Sequence, residues 1–349
     1  MTRVTGGGPF PGTEPLDAQL AVLEHLVDTP FGVDGLPFVV QLPARGAGSD
    51  AVGRTAALLG ELAVELGPHG WKLADRPGAD QRRARHALRD DLTALSVAAH
   101  GYDGPLTLSV LGPWTTAATL YLARGDRVLA DRGAAAEVAE ALGAGVRELV
   151  ADVRAQVPGV VDVVVQVEEP LLAPVGAGAL PTFSGYARLR AVPGPDLVEG
   201  LRPVLGAVAA AGATSAVHVG AAWTGVAPAV LAGADGVGLD VGRWDERTWE
   251  TVARLVERGR TFWAGLPRAV VSQCAGPDVG RVADALTVPW RRVGLPLAGL
   301  ADVVVRATES APSLAGPVPS PTARSLQDAR GDLATLVRVA AVVAERADG

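Results

Sequence analysis

Acidic and basic side chains follow several short apolar runs of this sequence. Glu168 and Glu169 close the run Val-Val-Val-Gln-Val, His218 closes Ser-Ala-Val, and Asp240 closes Gly-Val-Gly-Leu. An imidazole and carboxylates can transfer protons or bind a metal ion, and a carboxylate can hold a substrate ammonium group. Because parallel strands end at the same edge of a sheet or barrel, these side chains are expected to converge on one pocket. The pattern predicts catalytic roles for Glu168, Glu169 and His218.

Each of these residues also has a purely structural explanation. The two glutamates can be solvated acids at a strand end, and successive residues of a strand point to opposite faces, so one of them should face the pocket. His218 can be a hydrogen-bonded side chain that fills the top of a barrel. Asp240 can cap the following helix, although Asp245 competes for that position.

Three further residues are candidate contacts for a ligand. Arg45 and Arg54 flank a glycine-containing segment after an apolar run, and they predict a loop that binds a substrate carboxylate. Trp114 follows the end of another apolar run and predicts an aromatic wall for a planar, pterin-like ring. Tryptophan is also a common core residue, so the alternative for Trp114 is packing.

Composition excludes several classes of protein. The 349 residues carry a net charge of −7, and this balance provides no basic surface for nucleic acid. No apolar run approaches the roughly 20 residues of a membrane span, and the first residues lack the apolar core of a signal peptide, so we expect a cytoplasmic protein. Cys274 is the single cysteine, so a metal ion would depend on histidine and carboxylates.

The elements that must position these residues alternate between two patterns. Strands are predicted at 37–42, 68–73, 105–111, 161–167, 214–219, 235–240, 261–266 and 301–306. Helical patterns are predicted at about 50–66, 80–99, 114–123 with 133–155, 195–211, 223–231, 244–258 and 278–293, with a last one at 321–346. Eight strands that alternate with helices predict an α/β fold, the (β/α)8 or TIM barrel.

We expect a single domain over residues 1–349, with long loops at about 171–195 and 307–322. A doubly wound open sheet is the alternative, but the glycines at 42–48 have the wrong spacing for its phosphate-binding fingerprint. In the barrel, Glu168, Glu169, His218, Asp240 and Glu309 should lie near the C-terminal mouth, where barrel enzymes carry their active sites.

Several blocks of the sequence, taken in order, resemble the catalytic C-terminal half of cobalamin-independent methionine synthase, and especially its short stand-alone relatives. They are Pro-Phe-Pro-Gly-Thr-Glu-Pro at 9–15, Leu-Pro-Ala-Arg-Gly-Ala-Gly-Ser-Asp at 42–50 with Gly-Arg-Thr at 53–55, Leu-Gly-Pro-Trp-Thr at 111–115, and Gln-Val-Glu-Glu-Pro at 166–170. The resemblance runs through almost the whole chain. It implies a TIM barrel and a methyltransferase whose small-molecule substrates are an amino-acid thiol and a folate.

The resemblance also implies a zinc site. In the family, zinc binds a histidine, a cysteine two residues later, an acid after strand six and a second cysteine after strand eight. The zinc converts the homocysteine thiol into a thiolate, which takes the methyl group of a methyl-folate. By this correspondence His218 and Asp240 are metal ligands, whereas Gly220 and Pro312 stand at the two cysteine positions.

Loss of both thiolates predicts that zinc binds weakly or not at all, with Glu168, Glu309 or Cys274 as substitute ligands. Three functions stay open. The first is a methionine synthase-like methyltransferase that uses methyl-folate and homocysteine or a related thiol, with Glu168 holding the ammonium group. The second is a zinc-free barrel that binds a small amino-acid-like or pterin-like ligand without turnover. The third is a metal-independent lyase of the uroporphyrinogen decarboxylase type. We expect methionine formation to be very slow or absent.

Overall fold

The computed structural model describes residues 1–242, 244–273, 278–308 and 324–349. Its strands are β1 Thr2–Thr5, β2 Val33–Gly35, β3 Val64–Gly67, β4 Gly70–Leu73, β5 Leu106–Leu111, β6 Val163–Glu168, β7 Thr214–His218, β8 Gly236–Asp240, β9 Thr261–Pro267 and β10 Val304–Thr308. Its α-helices are α1 Pro15–Leu26, α2 Ala51–Leu58, α3 Ala79–Ala98, α4 Pro113–Thr119, α5 Arg132–Gln156, α6 Leu172–Gly176, α7 Gly194–Ala210, α8 Val226–Leu231, α9 Glu246–Glu257, α10 Arg268–Gln273, α11 Val279–Arg292 and α12 Leu326–Asp348.

Eight strands of the described chain form one parallel sheet in the order β2-β1-β10-β9-β8-β7-β6-β5. The two end strands are also connected, because the segment after β2 bonds to β5. The amide of Val39 donates to the carbonyl of Thr107 at 2.9 Å, and the amide of Thr107 donates to Pro37 at 2.8 Å. Helices flank the sheet, and the predicted TIM barrel is confirmed.

The apolar side chains explain why these segments take their places. Residues 163–167 of β6 are all buried, as expected of a strand enclosed by helices outside and barrel interior inside. On α9, Trp249, Val252 and Leu255 are buried at helical spacing, while charged residues fill the opposite face. Asp245 caps this helix by accepting the amide of Thr248, so the capping role belongs to Asp245 and leaves Asp240 free for other contacts.

The barrel interior is built in two layers. Its lower layer is an apolar cluster separate from the main core, consisting of Leu36, Val164, Ala216, Trp263 and Val304. Side chains two residues apart on a strand point to the same face. The residues two positions after Val164, Ala216 and Val304 are therefore also interior, and they are Gln166, His218 and Arg306. An apolar floor thus supports a polar layer below the C-terminal mouth.

Three of the predicted strands, at 37–42, 68–73 and 301–306, differ from the structure, and one barrel strand was not predicted. The predicted strand at 37–42 lies after the observed β2, Val33–Gly35, and contributes isolated bridges at Phe38 and Gln41. The barrel begins with β1, which the sequence analysis did not predict because it has four residues and Val4 is the only apolar one among them. Residues 68–73, predicted as the second barrel strand, instead belong to an antiparallel hairpin of β3 and β4 outside the barrel. The helix α1 was also missed, and the predicted strand at 301–306 begins later because residues 297–302 form a 3-10 helix.

The predicted long loops are only partly loops. The segment 171–195 contains the short helix α6, a turn closed by the pair Pro181 and Arg188, and the start of α7. Of the segment 307–322, Ala307 and Thr308 end strand β10, and the rest lies outside the described residues. Within the described ranges, every helix is too short or too polar to cross a membrane.

Candidate functional site

Arg306 is the centre of the buried polar layer. Its guanidinium group, 3% exposed, donates from Nη1 to Oε1 of Glu168 at 2.5 Å and from Nη2 to Oε2 at 3.2 Å. Nη1 also donates to the amide oxygen of Gln166 at 2.5 Å. The amide nitrogen of Gln166 in turn donates to the carbonyl of Gly6 at 2.8 Å. This two-bond pairing of guanidinium and carboxylate is the strong, directional form of an ion pair.

His218 lies beside this pair, with a carboxylate near each ring nitrogen. Nδ1 accepts the amide of Gly220 at 3.4 Å and lies 3.9 Å from Oε2 of Glu168. Nε2 lies 3.6 Å from Oδ1 of Asp240. Burial, with a smaller contribution from the charge of Arg306, holds the pKa of His218 well below its usual value, so the ring is neutral. A neutral ring that accepts at Nδ1 carries its proton on Nε2.

Asp240 completes the cluster. Burial raises the pKa of its carboxyl group, while a hydrogen bond from Thr308 and the charge of Arg306 act in the opposite direction. Its Oδ1 and the Nε2 of His218 are both buried and have no hydrogen-bond partner among the described residues. Buried polar atoms are normally paired, so two unpaired atoms at one place indicate where a ligand group can bind.

Two glycines give these side chains their room. A Cβ on Gly238 would lie 2.2 Å from Cδ2 of His218. A Cβ on Gly265 would lie 2.8 Å from both Nε2 of His218 and Oδ1 of Asp240. Any larger residue at these positions of β8 and β9 would therefore displace the cluster, since real side chains do not approach so closely.

Glu169 points away from the mouth, so Glu168 is the inward-facing member of the pair. Its buried carboxylate accepts from the amides of Trp114 and Thr115 at 2.8 Å each and from the Thr115 hydroxyl at 2.6 Å. Burial raises the pKa of Glu169 to about 7, although these hydrogen bonds favour the charged form. The residue connects the end of β6 to the start of α4, and its predicted catalytic role stays a prediction that this position does not support.

The predicted carboxylate clamp of Arg45 and Arg54 lies in a separate charged group. Both guanidinium groups bond to the buried carboxylate of Asp91 on α3, and Arg45 also bonds to Asp90 at 3.1 Å. Neither makes an ion pair or hydrogen bond with Glu168 or His218 in the described part of the chain. Their positive charges are thus already balanced by acids.

Trp114 is packed in the helical layer. The residue is 9% exposed, and its indole nitrogen donates to the carbonyl of Leu197 at 2.9 Å. A Cβ on Gly200 would lie 2.4 Å from the ring, so the indole contacts the backbone of α7 directly. This position matches the packing alternative, and the aromatic wall stays a prediction without support from the structure.

Two surface cavities lie outside the polar cluster. One of about 480 Å³ lies against α9 and α11 and includes Trp244 and Arg292, and one of about 340 Å³ borders Arg45 and Trp71. Both are open to the surface, and no residue of the Arg306 cluster lines either. The cluster is the better candidate for a ligand site, because unpaired buried polar atoms are a more specific signal than a surface groove.

The described residues do not fit the zinc ion that the sequence resemblance implies. Both oxygens of Glu168 are engaged by Arg306, and Glu168 and Asp240 lie near opposite nitrogens of the His218 ring, so they do not face one common metal position. Gly220 has a φ of +68°, a left-handed conformation that a cysteine adopts only with strain. No group of three metal-binding side chains is formed within the described ranges. Cys274, Glu309 and Pro312 lie outside them.

Sequence reasoning missed Arg306 and Gln166. A signal was present for both, because each is a polar residue within an apolar run, Val-Val-Val-Arg-Ala at 303–307 and Val-Val-Val-Gln-Val at 163–167. A charge inside a strand that is buried on both faces must be paired, so such a residue indicates a buried partner. The sequence did not tell which partner.

The fold and the cluster together define a TIM barrel with a polar site at its C-terminal mouth, the arrangement of TIM-barrel enzymes. No protein-family model matches the sequence, and no curated protein matches it.

Solved structures are similar in fold. A B12-independent methionine synthase from Shewanella sp. W3-18-1, in complex with selenomethionine, has a TM-score of 0.56 at 14% identity, covering 99% of this chain and 97% of that one. 2,3-dimethylmalate lyase has a TM-score of 0.37 at 13% identity, and the match covers 87% of this chain and 75% of that one. The carboxyl transferase domain of Rhizobium etli pyruvate carboxylase has a TM-score of 0.32 at 13% identity, and the match covers 98% of this chain and 48% of that one. At this identity, the first likeness supports the fold.

Proposed function

We propose that this protein is a zinc-free TIM barrel that binds a small molecule at its C-terminal mouth through a hydroxyl or thiol group. The observation that carries the proposal is the pair of buried, unpaired atoms Nε2 of His218 and Oδ1 of Asp240, 3.6 Å apart. The first is a donor and the second an acceptor. A ligand group that both accepts and donates a hydrogen bond would satisfy the two together.

The chemistry of the site narrows the ligand further. The Asp240 side chain is 26% exposed and that of Glu168 17%, so the cluster opens to the mouth through these two acids. Hydroxyl and thiol groups are the small ligand groups that donate and accept at one atom. The methionine synthase of similar fold holds selenomethionine, and a small sulfur compound is therefore a reasonable first probe.

Methyl transfer from methyl-folate to homocysteine or a related thiol is the specific reaction that the sequence resemblance implies. We propose that this reaction is very slow or absent in the present protein. A free thiol with a pKa of about 8.5 is only a few per cent thiolate at neutral pH, and a bound metal would remove that limit. The described residues offer no such metal position. Binding of a thiol or a folate without turnover is the expected behaviour.

Binding of small thiols and alcohols tests the proposal directly. We expect 4-mercaptobutanoate or 4-hydroxybutanoate to raise the melting temperature of the protein and to give saturable heat in calorimetry. Asp240→Asn should weaken that binding about tenfold or more, because the amide offers the ligand a neutral oxygen in place of the stronger carboxylate acceptor. Asp75→Asn, at an exposed position, is the matched control. The proposal fails if none of the probes binds, or if both variants bind equally well.

A further inference from the structure

Glu168 is the residue expected to hold the ammonium group of an amino acid, but its carboxylate is already occupied. Arg306 takes both of its oxygens in a two-bond ion pair. Each oxygen keeps a further acceptor site, but the guanidinium group already balances the negative charge of the carboxylate. A ligand ammonium group bound to Glu168 would therefore lie beside a like charge, without the net negative charge that would attract the positive end of an amino acid.

The arginine is held firmly in this position. Its guanidinium group also bonds to Gln166, whose own amide is fixed by the carbonyl of Gly6. A Cβ on Gly7 would lie 3.0 Å from Nη2, so the backbone after β1 closes over the guanidinium group. Moving Arg306 aside would leave a buried charge without its partner, which is strongly unfavourable. Displacement of Arg306 by a ligand cation would therefore cost considerable free energy.

We infer that Arg306 is a specificity-determining residue that excludes amines, so that the mouth accepts small hydroxy or mercapto compounds without an amino group. The inference rests on the proposed function, which supplies the existence of a small-molecule ligand, and it adds the chemical class of that ligand. An amine brought near the Arg306 guanidinium would meet a like charge and would find the Glu168 carboxylate engaged.

A second observation indicates what such a ligand carries in place of the amine. The Nε of Arg306 is buried and has no hydrogen-bond partner in the described ranges. This N–H is a charge-assisted donor that suits a carbonyl or carboxylate oxygen. A hydroxy- or mercapto-carboxylate carries both kinds of group that these unpaired atoms can bind: a carboxylate for Nε of Arg306, and a hydroxyl or thiol for Nε2 of His218 and Oδ1 of Asp240.

Matched ligand pairs test the inference on the unaltered protein. Homocysteine and 4-mercaptobutanoate differ only by the amine, as do homoserine and 4-hydroxybutanoate. Calorimetry should show the amine-free member of each pair binding at least about tenfold tighter. Equal affinities, or tighter binding of the amino acids, would overturn the role assigned to Arg306 while leaving the proposed binding of small molecules intact.

Variants of Arg306 separate the two proposals. Arg306→Met should free Glu168 and reverse the preference toward homocysteine about tenfold or more, whereas Arg306→Lys, which keeps a cation on Glu168, should retain it. Arg346→Met, which removes an ion-paired arginine of α12, is the matched control and should leave the preference unchanged. If Arg306→Met does not fold, Arg306→Gln replaces it, because the glutamine removes the positive charge but can still donate a hydrogen bond to Glu168.

If the unaltered protein binds neither member of a pair, the proposed function fails, and the variants still decide the role of Arg306. Homocysteine binding gained by Arg306→Met or Arg306→Gln would support the exclusion of amines. No gain in a folded variant, verified by circular dichroism, would overturn it.

Discussion

The guanidinium group of Arg306 on β10 reaches across the barrel interior to the carboxylate of Glu168 on β6, with three strands, β9, β8 and β7, between them in the sheet. The pair crosses the barrel above its apolar floor and below the mouth. It sets the charge of the site and brings Glu168 within 3.9 Å of His218.

Removing this cation should cost stability. Arg306→Met leaves the carboxylate of Glu168 without its partner, and we expect the free energy of unfolding to fall by about 3–5 kcal/mol, as for broken buried ion pairs. Urea denaturation measures the change. The double variant Arg306→Met with Glu168→Gln should recover part of the loss, because no unpaired charge remains. A cost below about 1 kcal/mol for the single variant would mean that solvent reaches Glu168 and replaces the guanidinium group.

Glu169 predicts a dependence of stability on pH. Burial raises the pKa of Glu169 from 4.5 to about 7 in the folded protein. The folded state therefore favours the protonated carboxyl group, and the stability that this gives is fully present below about pH 4.5 and is lost as the pH rises to about 7. Glu169→Gln cannot ionise and should therefore gain stability relative to the unaltered protein as the pH rises from 5 to 8, by up to about 3 kcal/mol.

Denaturation of both proteins at the two pH values checks this expectation. Glu148→Gln, at an exposed position of α5, is the control. A constant difference between Glu169→Gln and the unaltered protein at pH 5 and 8 would contradict it, whatever the absolute cost of losing the hydrogen bonds of Glu169.

A side chain at position 265 should destabilise the protein and weaken ligand binding. The Cβ of Gly265→Ala would meet Thr308 at 2.4 Å and both unpaired atoms of His218 and Asp240 at 2.8 Å. We expect a loss of about 1–3 kcal/mol of stability from overpacking and at least about tenfold weaker ligand binding. Gly280→Ala on α11, whose Cβ would meet nothing within 4 Å, is the matched control. Unchanged binding by a folded Gly265→Ala protein would show that the ligand does not contact this pair.

Zinc should be nearly absent from the purified protein. We expect elemental analysis after dialysis against a mild chelator to find far less than one zinc per chain, because the described residues provide no set of three ligands. Gly220→Cys should not change this. The left-handed backbone at φ +68° opposes the new side chain by about 1–2 kcal/mol, and Arg306 still engages Glu168. Near-stoichiometric zinc in either protein would refute the expectation.

The apolar runs by themselves determined most of the barrel. The strands β5 to β9 lie within one or two residues of their predicted positions, since long β-branched runs between polar helices are strong local signals. The same reasoning placed Glu168, His218 and Asp240 at one end of neighbouring parallel strands. It failed for the short strands β1 and β2, the second of which was predicted at 37–42, and for the hairpin at 64–73. Few residues carry the pattern in these segments, and the partner strand decides where they pair.

The tertiary structure alone decided how the polar side chains pair. Alternation along a strand predicts that one of Glu168 and Glu169 faces inward, but the helix α4 that receives Glu169 decides which one does. Arg306 and Glu168 are 138 residues apart, and the arginine in its apolar run indicates a buried partner without identifying it. A local sequence pattern reports which face a side chain lies on, whereas the closed barrel determines which opposite strand it reaches.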